Sequence, residues 1–336
     1  LAVIIALTGY FITLLKHKTL LLPQSSLTIL LLVFMTAIIL NLIFNPEGRT
    51  EAIVGGGALL LILPLFSLLI LTLKKSDKFA SHVKAVLIGT GFILALHSLL
   101  QLTFFRSWNI LPAFMQNQTF TPTGSFLITL TLIAIAIGAI LGELVNVKGK
   151  NNPLHLTMLL VMIIASVAIS ALMMPGSALA LNLIPYRETW AIALDALKSP
   201  HSLLFGVGLA NYSILYTVVK PLSLNATNIW NLLPQSGSSE LLTLLTTGGV
   251  VLGLSFLYLA ITALRTAYKT PLYAPLLITI LALIFTPGSI ALYLIFFVLL
   301  AVAGQNEIVS KTLSPKISYI IGSIGLILII GVIYIV

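Results

Sequence analysis

The stretch Leu27-Thr-Ile-Leu-Leu-Leu-Val-Phe-Met-Thr-Ala-Ile-Ile-Leu-Asn-Leu-Ile-Phe44 carries no charged side chain. As a helix it rises about 27 Å, close to the roughly 30 Å of a bilayer's hydrocarbon core. Similar runs recur along the whole chain, at 1–15, 52–73, 85–105, 125–147, 154–174, 240–264, 272–286, 289–304 and 317–336. Composition agrees: of 336 residues, 59% are apolar and 7% charged, where a soluble domain has about 45–50% and about 25%. Such a chain cannot clothe a soluble domain in charge, and it is too apolar to be disordered. The expectation is an all-α, polytopic integral membrane bundle of about ten spans, a single transmembrane domain over 1–336. The short run 1–15 and the opening Leu1 suggest an amino end that has lost part of a helix.

The cations give an orientation. Loops after odd-numbered runs hold Lys16, Lys18, Lys74, Lys75, Lys78, Lys84, Lys148, Lys150, Arg265, Lys269, Lys311 and Lys316, whereas those after even-numbered runs hold only Arg49, Arg106, Arg187, Lys198 and Lys220. The positive-inside rule assigns the first set to the cytoplasm. The long loop 175–239 is then extracytoplasmic. The net charge of +9 is spent on this asymmetry and does not call for nucleic acid. The chain has no cysteine, which excludes thiol chemistry, disulfides and Cys-ligated metals. Its five His, at 17, 82, 97, 155 and 201, form no spaced cluster with the acids, so no metal or cofactor is expected.

A loop as long as 175–239 is expected to have structure of its own. In Arg187-Glu-Thr-Trp-Ala-Ile-Ala-Leu-Asp-Ala-Leu-Lys-Ser199, Trp190, Ala191, Leu194 and Leu197 share one helical face, a pattern for an amphipathic interfacial helix with Trp190 at headgroup depth. Gly206 and Gly208 permit a tight turn or close backbone approach to a bound group. Asn225, Asn228, Trp230, Asn231 and Gln235 suit carbohydrate as well as any wet loop. Ser238 or Ser239 can cap the helix that opens at Glu240, whose charge suits its first turn. Within the fourth run, His97 and Gln101 share a face at i, i+4, placed for function or for an inter-helix hydrogen bond. Glu143 lies near the cytoplasmic end of the fifth run.

The order Arg187-Glu-Thr-Trp190, then Pro200-His-Ser-Leu-Leu-Phe-Gly206-Val-Gly208, then Glu240-Leu-Leu-Thr-Leu-Leu-Thr-Thr-Gly-Gly249-Val-Val-Leu-Gly253 resembles the carboxy-terminal half of the O-antigen ligase and polymerase superfamily. Its pattern runs R-x-x-x-W, a helix, P-x-x-G-x-G and H-N-x-x-L-x-x-L-x-x-x-G-x-x-G. Ser238-Ser239 stands where the family has His-Asn, and Trp190 comes one residue early. The resemblance implies transfer of a glycan from undecaprenyl diphosphate to an acceptor hydroxyl, on lipid, protein or glycan, without metal or nucleotide sugar.

On that reading Arg187 stabilises the departing diphosphate, since guanidinium pairs bidentately with phosphate. Arg49, Arg106 and Lys220 are candidate partners. His201, Glu240 or Glu188 is the base for the acceptor hydroxyl. Trp190, Gly206, Gly208, Ser238 and Ser239 complete the candidate substrate surface. Three other readings compete: a transporter or flippase, a peptidoglycan polymerase, and a non-catalytic relative retained for binding.

Overall fold

The computed structural model describes residues 2–73, 77–105, 108, 112–117, 119–146, 153–177, 180–304, 307–312 and 314–335. Arg106, Lys74, Lys75, Lys148 and Lys150 lie outside the described residues.

The chain is helical almost throughout. The elements are α1 (Ala2–His17), α2 (Ser26–Phe44), α3 (Arg49–Val54), α4 (Gly56–Leu73), α5 (Asp77–Thr103), α6 (Ala113–Gln116), α7 (Phe126–Asn146) and α8 (Pro153–Leu172). Then come α9 (Tyr186–Ala196), α10 (Pro200–Phe205), α11 (Tyr212–Val219), a 3₁₀ turn (Leu222–Ala226), α12 (Glu240–Ala267), α13 (Tyr273–Phe285), α14 (Ile290–Ala303) and α15 (Pro315–Ile335). Among the described residues, five helices are long and apolar enough to cross a membrane: α2, α5, α7, α8 and α12. Four shorter apolar ones are α4, α13, α14 and α15.

Two features depart from the sequence reading. The expected run 52–73 is broken at Gly55, where the backbone leaves helical geometry and α3 gives way to α4. Two short strands, β1 (Thr19–Gln24) and β2 (Glu307–Thr312), pair antiparallel between helices.

Caps set several helix ends. Ser25 Oγ accepts the Leu27 N–H at 3.2 Å to open α2, and Ser289 Oγ accepts the Leu292 N–H at 3.2 Å to open α14. The core is built where α2, α12 and α14 meet. Phe34 packs against Phe256 and Phe297, with ring centroids 6.5 and 6.0 Å apart, and Phe296 bridges the two at 5.5 and 5.1 Å. Elsewhere small residues let backbones approach, as at membrane helix interfaces. A Cβ on Gly142 of α7 would collide with the Pro271 carbonyl just before α13. Glu143 joins three helices, pairing with Lys84 of α5 at 3.3 Å and His155 of α8 at 3.5 Å.

Residues 180–239 fold as a cap with its own small core of Ile184, Ile192, Tyr212, Tyr216, Leu224 and Ile229. The inward face of α9 is Thr189, Ile192, Ala193 and Ala196. Trp190 and Leu194, on the face read from the sequence as apolar, are 50% and 54% exposed. They turn away from the protein.

Candidate functional site

The candidate residues distribute over three places on the cap and on the α12 segment beneath it. The first is the start of α12. Ser239 caps it, accepting the Leu242 N–H at 3.2 Å while its hydroxyl donates to the Ile284 carbonyl at 2.6 Å. Ser238 donates to the Ile184 carbonyl, and its N–H donates to Thr189 Oγ1 at 3.2 Å. This pair ties α9 to α12 and fixes the helix turn that carries Arg187. Glu240 is buried. Its Oε2 accepts the Gly288 N–H at 2.8 Å and its Oε1 accepts the Tyr293 hydroxyl. Both carboxylate oxygens are therefore engaged in joining α12 to α14.

The second place is a junction below the cap. Gly249 has φ +72°, which breaks the helical run of α12. The G-x-G turn fills the break: Val207 N–H donates to the Thr246 carbonyl at 3.1 Å and Gly208 N–H to the Thr247 carbonyl at 2.9 Å. Gly206 and Gly208 have φ +68° and +102°, the left-handed region where only glycine is unstrained. A Cβ on Gly206 would run into the Thr247 backbone, and one on Gly249 into the Leu204 carbonyl. Asn41 Nδ2 adds bonds to the Phe205 and Thr247 carbonyls at 2.5 and 2.9 Å, Asn45 Nδ2 reaches Phe205 at 3.0 Å, and Asn211 Nδ2 reaches Val207 and Glu47 at 2.8 and 3.0 Å. The close backbone approach read from the two glycines is to the protein's own helix.

The third place is the cap's surface. Arg187 is exposed and has no hydrogen-bond or ion-pair partner among the described residues. The other cations of its set are engaged. Arg49 covers the Leu42 and Ile43 carbonyls at 2.7 and 3.2 Å, Lys220 donates to the Trp230 carbonyl, and Lys198 pairs with Asp195. Glu188 accepts the Ser223 hydroxyl at 3.3 Å.

His201 is exposed, with Nε2 3.2 Å from the Phe44 carbonyl. A carbonyl only accepts, so in this bond Nε2 carries the proton and Nδ1 holds the lone pair a base needs. No hydrogen bond or ion pair links Arg187, His201 and Glu240 to one another among the described residues.

Under α9, the hydroxyls of Tyr212 and Tyr216 are buried without a partner. Their phenols are pushed above the usual tyrosine range, chiefly by burial, and for Tyr212 also by Tyr216 and Glu240. Both stay protonated donors.

The sequence reading did not single out Thr189, Tyr212, Tyr216, Tyr293 or Asn211. It also passed over Asn41 and Asn45, although two amides at i, i+4 in an otherwise apolar run are a signal for a buried polar contact. In the fourth run, Gln101 Nε2 donates to the Met115 and Asn117 carbonyls at 2.8 and 2.6 Å, and the His97 ring meets Phe105 and Phe120 edge-on. Comparison with known proteins finds no matching family model, no matching curated relative and no matching solved structure.

Proposed function

We propose that the chain is a glycosyltransferase of the O-antigen ligase type, with about ten spans in the inner membrane and the cap on its extracytoplasmic side. The acceptor hydroxyl oxygen attacks the anomeric carbon of the lipid-linked glycan, the bond from that carbon to the diphosphate oxygen breaks, and the hydroxyl proton passes to a base. The developing charge on the diphosphate is the main demand on the protein.

The observation that carries this reading is the state of Arg187. Among the described cations assigned to the outer side, it alone has no partner, and the helix that presents it is bolted to α12 through Thr189 and Ser238. An unpaired guanidinium on a fixed helix turn is ready for bidentate phosphate binding. His201, with Nδ1 unencumbered, is a better base than Glu240, whose two oxygens are occupied. That occupation, with Ser238-Ser239 engaged as a cap and tie, also favours the second reading of a relative that binds lipid-linked glycan without transferring it.

The test is transfer from an undecaprenyl-diphosphate-linked saccharide in vesicles holding the full chain. Arg187→Ala is expected to insert normally and to lower the rate by about 100-fold or more, the scale of losing one transition-state donor. Transfer at the parental rate would overturn the assignment. Donor binding without transfer by the parent would select the second reading.

A further inference from the structure

The antiparallel pair α2 and α12 runs from the cap to the opposite end of the bundle, meeting at Asn41 and Thr247 and then at Phe34 and Phe256. Past the phenylalanines the facing side chains turn short, with Ser26 on α2 and Thr262 and Thr266 on α12. A groove of about 520 Å³ opens there, walled also by Ile29, Tyr258 and Arg265. Ser26 lies fifteen residues before Asn41, a rise of about 22 Å. The groove therefore sits at the far boundary of the apolar layer, where the headgroups of the other leaflet begin. The positive-inside rule assigns that end to the cytoplasm.

Its chemistry is ordered along the membrane normal. Arg265 is exposed, and its side chain has no hydrogen-bond or ion-pair partner among the described residues. Helical side chains lean towards the amino end of their helix, which carries this guanidinium back along the groove wall. Next come the hydroxyls of Ser26 and Thr262. Tyr258 and Ile29 are 57% and 65% exposed, so the groove is open sideways, and on a spanning helix that side is lipid. Deeper still, Val33 of α2 and Leu254 and Ile261 of α12 are exposed apolar side chains. A free guanidinium, then hydroxyls, then an alkyl surface matches the order of phosphate, glycerol ester and acyl chain in a phospholipid. Arg is suited to the phosphate by its planar pair of donors, and basic pockets between helices on this side of a membrane hold anionic headgroups.

From these observations we infer that the groove between α2 and α12 is a site for one anionic glycerophospholipid, its phosphate on Arg265 and an acyl chain along the outer faces of the two helices. The site is independent of the glycosyl-transfer reading, and no arm of its test uses a glycan.

The experiment is native mass spectrometry of the detergent-solubilised full chain with dioleoyl phosphatidylglycerol or dioleoyl phosphatidylcholine added. The parent is expected to retain phosphatidylglycerol and to hold phosphatidylcholine about 5-fold more weakly. Arg265→Ala is expected to weaken phosphatidylglycerol about 10-fold or more, the value of a charge-assisted bond. Ile29→Trp fills the groove at unchanged charge and is expected to weaken it about 5-fold or more. Lys269 stands 5.7 Å over the Tyr268 ring and outside this groove, so Lys269→Ala is expected to bind like the parent, and millimolar inorganic phosphate is expected to displace nothing. All three positions are exposed, so the lipid-free variants are expected to melt with the parent, while phosphatidylglycerol raises the midpoint of the parent and not that of Arg265→Ala. Equal retention of the two lipids, parental retention by Arg265→Ala or Ile29→Trp, loss in Lys269→Ala matching that in Arg265→Ala, or displacement by phosphate would each overturn the site.

Discussion

Two polar regions lie a short way apart in this molecule and are built on opposite principles. At the junction of α2, the G-x-G turn and α12, the carbonyls freed by the break at Gly249 are taken up by backbone N–H groups and asparagine amides, leaving Asn41 Oδ1, among the described residues there, as the one buried side-chain polar atom without a partner. Under α9, two tyrosine hydroxyls are buried and bond nothing. A satisfied polar network stiffens an apolar interior. An unsatisfied one is destabilising by itself and gains when something else supplies the missing partner. The comparison teaches that Gly206, Gly208 and Asn41 are satisfied architecture, whereas the two tyrosine hydroxyls under the cap are polar atoms buried without compensation.

The comparison can be broken most forcefully at the junction. Gly249→Ala is expected to lose about 3 kcal/mol or more, because a Cβ there meets the Leu204 carbonyl and the backbone sits at φ +72°. Little folded protein should survive size-exclusion chromatography, and a variant that elutes and melts like the parent would show that the junction is not rigid. Asn41→Leu is a milder probe. The Phe205 and Thr247 carbonyls each retain another donor, Asn45 and Gly208 respectively, so a loss of about 1–2 kcal/mol is expected, read as a lower denaturation midpoint. The smallest effect is expected at Tyr212→Phe, which removes an unpartnered hydroxyl and should leave the midpoint unchanged or raise it by no more than about 1 kcal/mol. A clear loss there would mean that the hydroxyl is satisfied by water and that both regions are architecture.

Much of the bundle was legible from local pattern. The runs at α2, α5, α7, α8 and α12 show themselves because a membrane helix must satisfy its backbone within one apolar segment, and that constraint is visible in any window of the chain. The serine cap before Glu240 was legible for the same reason: Ser239 meets the Leu242 N–H three residues on. What escaped depends on distant partners. Asn41 meets Phe205 across 164 positions and Thr247 across 206, and no local window contains both ends of such a bond.

On α9 the larger apolar side chains Trp190 and Leu194 lie on the face read for the membrane interface, while the protein core takes the smaller Ala193 and Ala196 together with Thr189, which bonds Ser238. Arg187, Arg49 and Lys220 are alike as letters in a sequence. Only the fold separates a guanidinium or ammonium already spent on carbonyls from one still free.

The pairing of β1 with β2 has a consequence for how the molecule is made. Gln24 and Glu307 are partners although roughly 280 positions apart, and α1 packs against α15 just beyond them. During synthesis at about 5–20 residues per second, β1 waits from a quarter of a minute to about a minute for its complement to leave the ribosome. Throughout that interval its strand edge is open to any other extended segment, so the pairing of β1 is exposed to a wrong partner until β2 has been made.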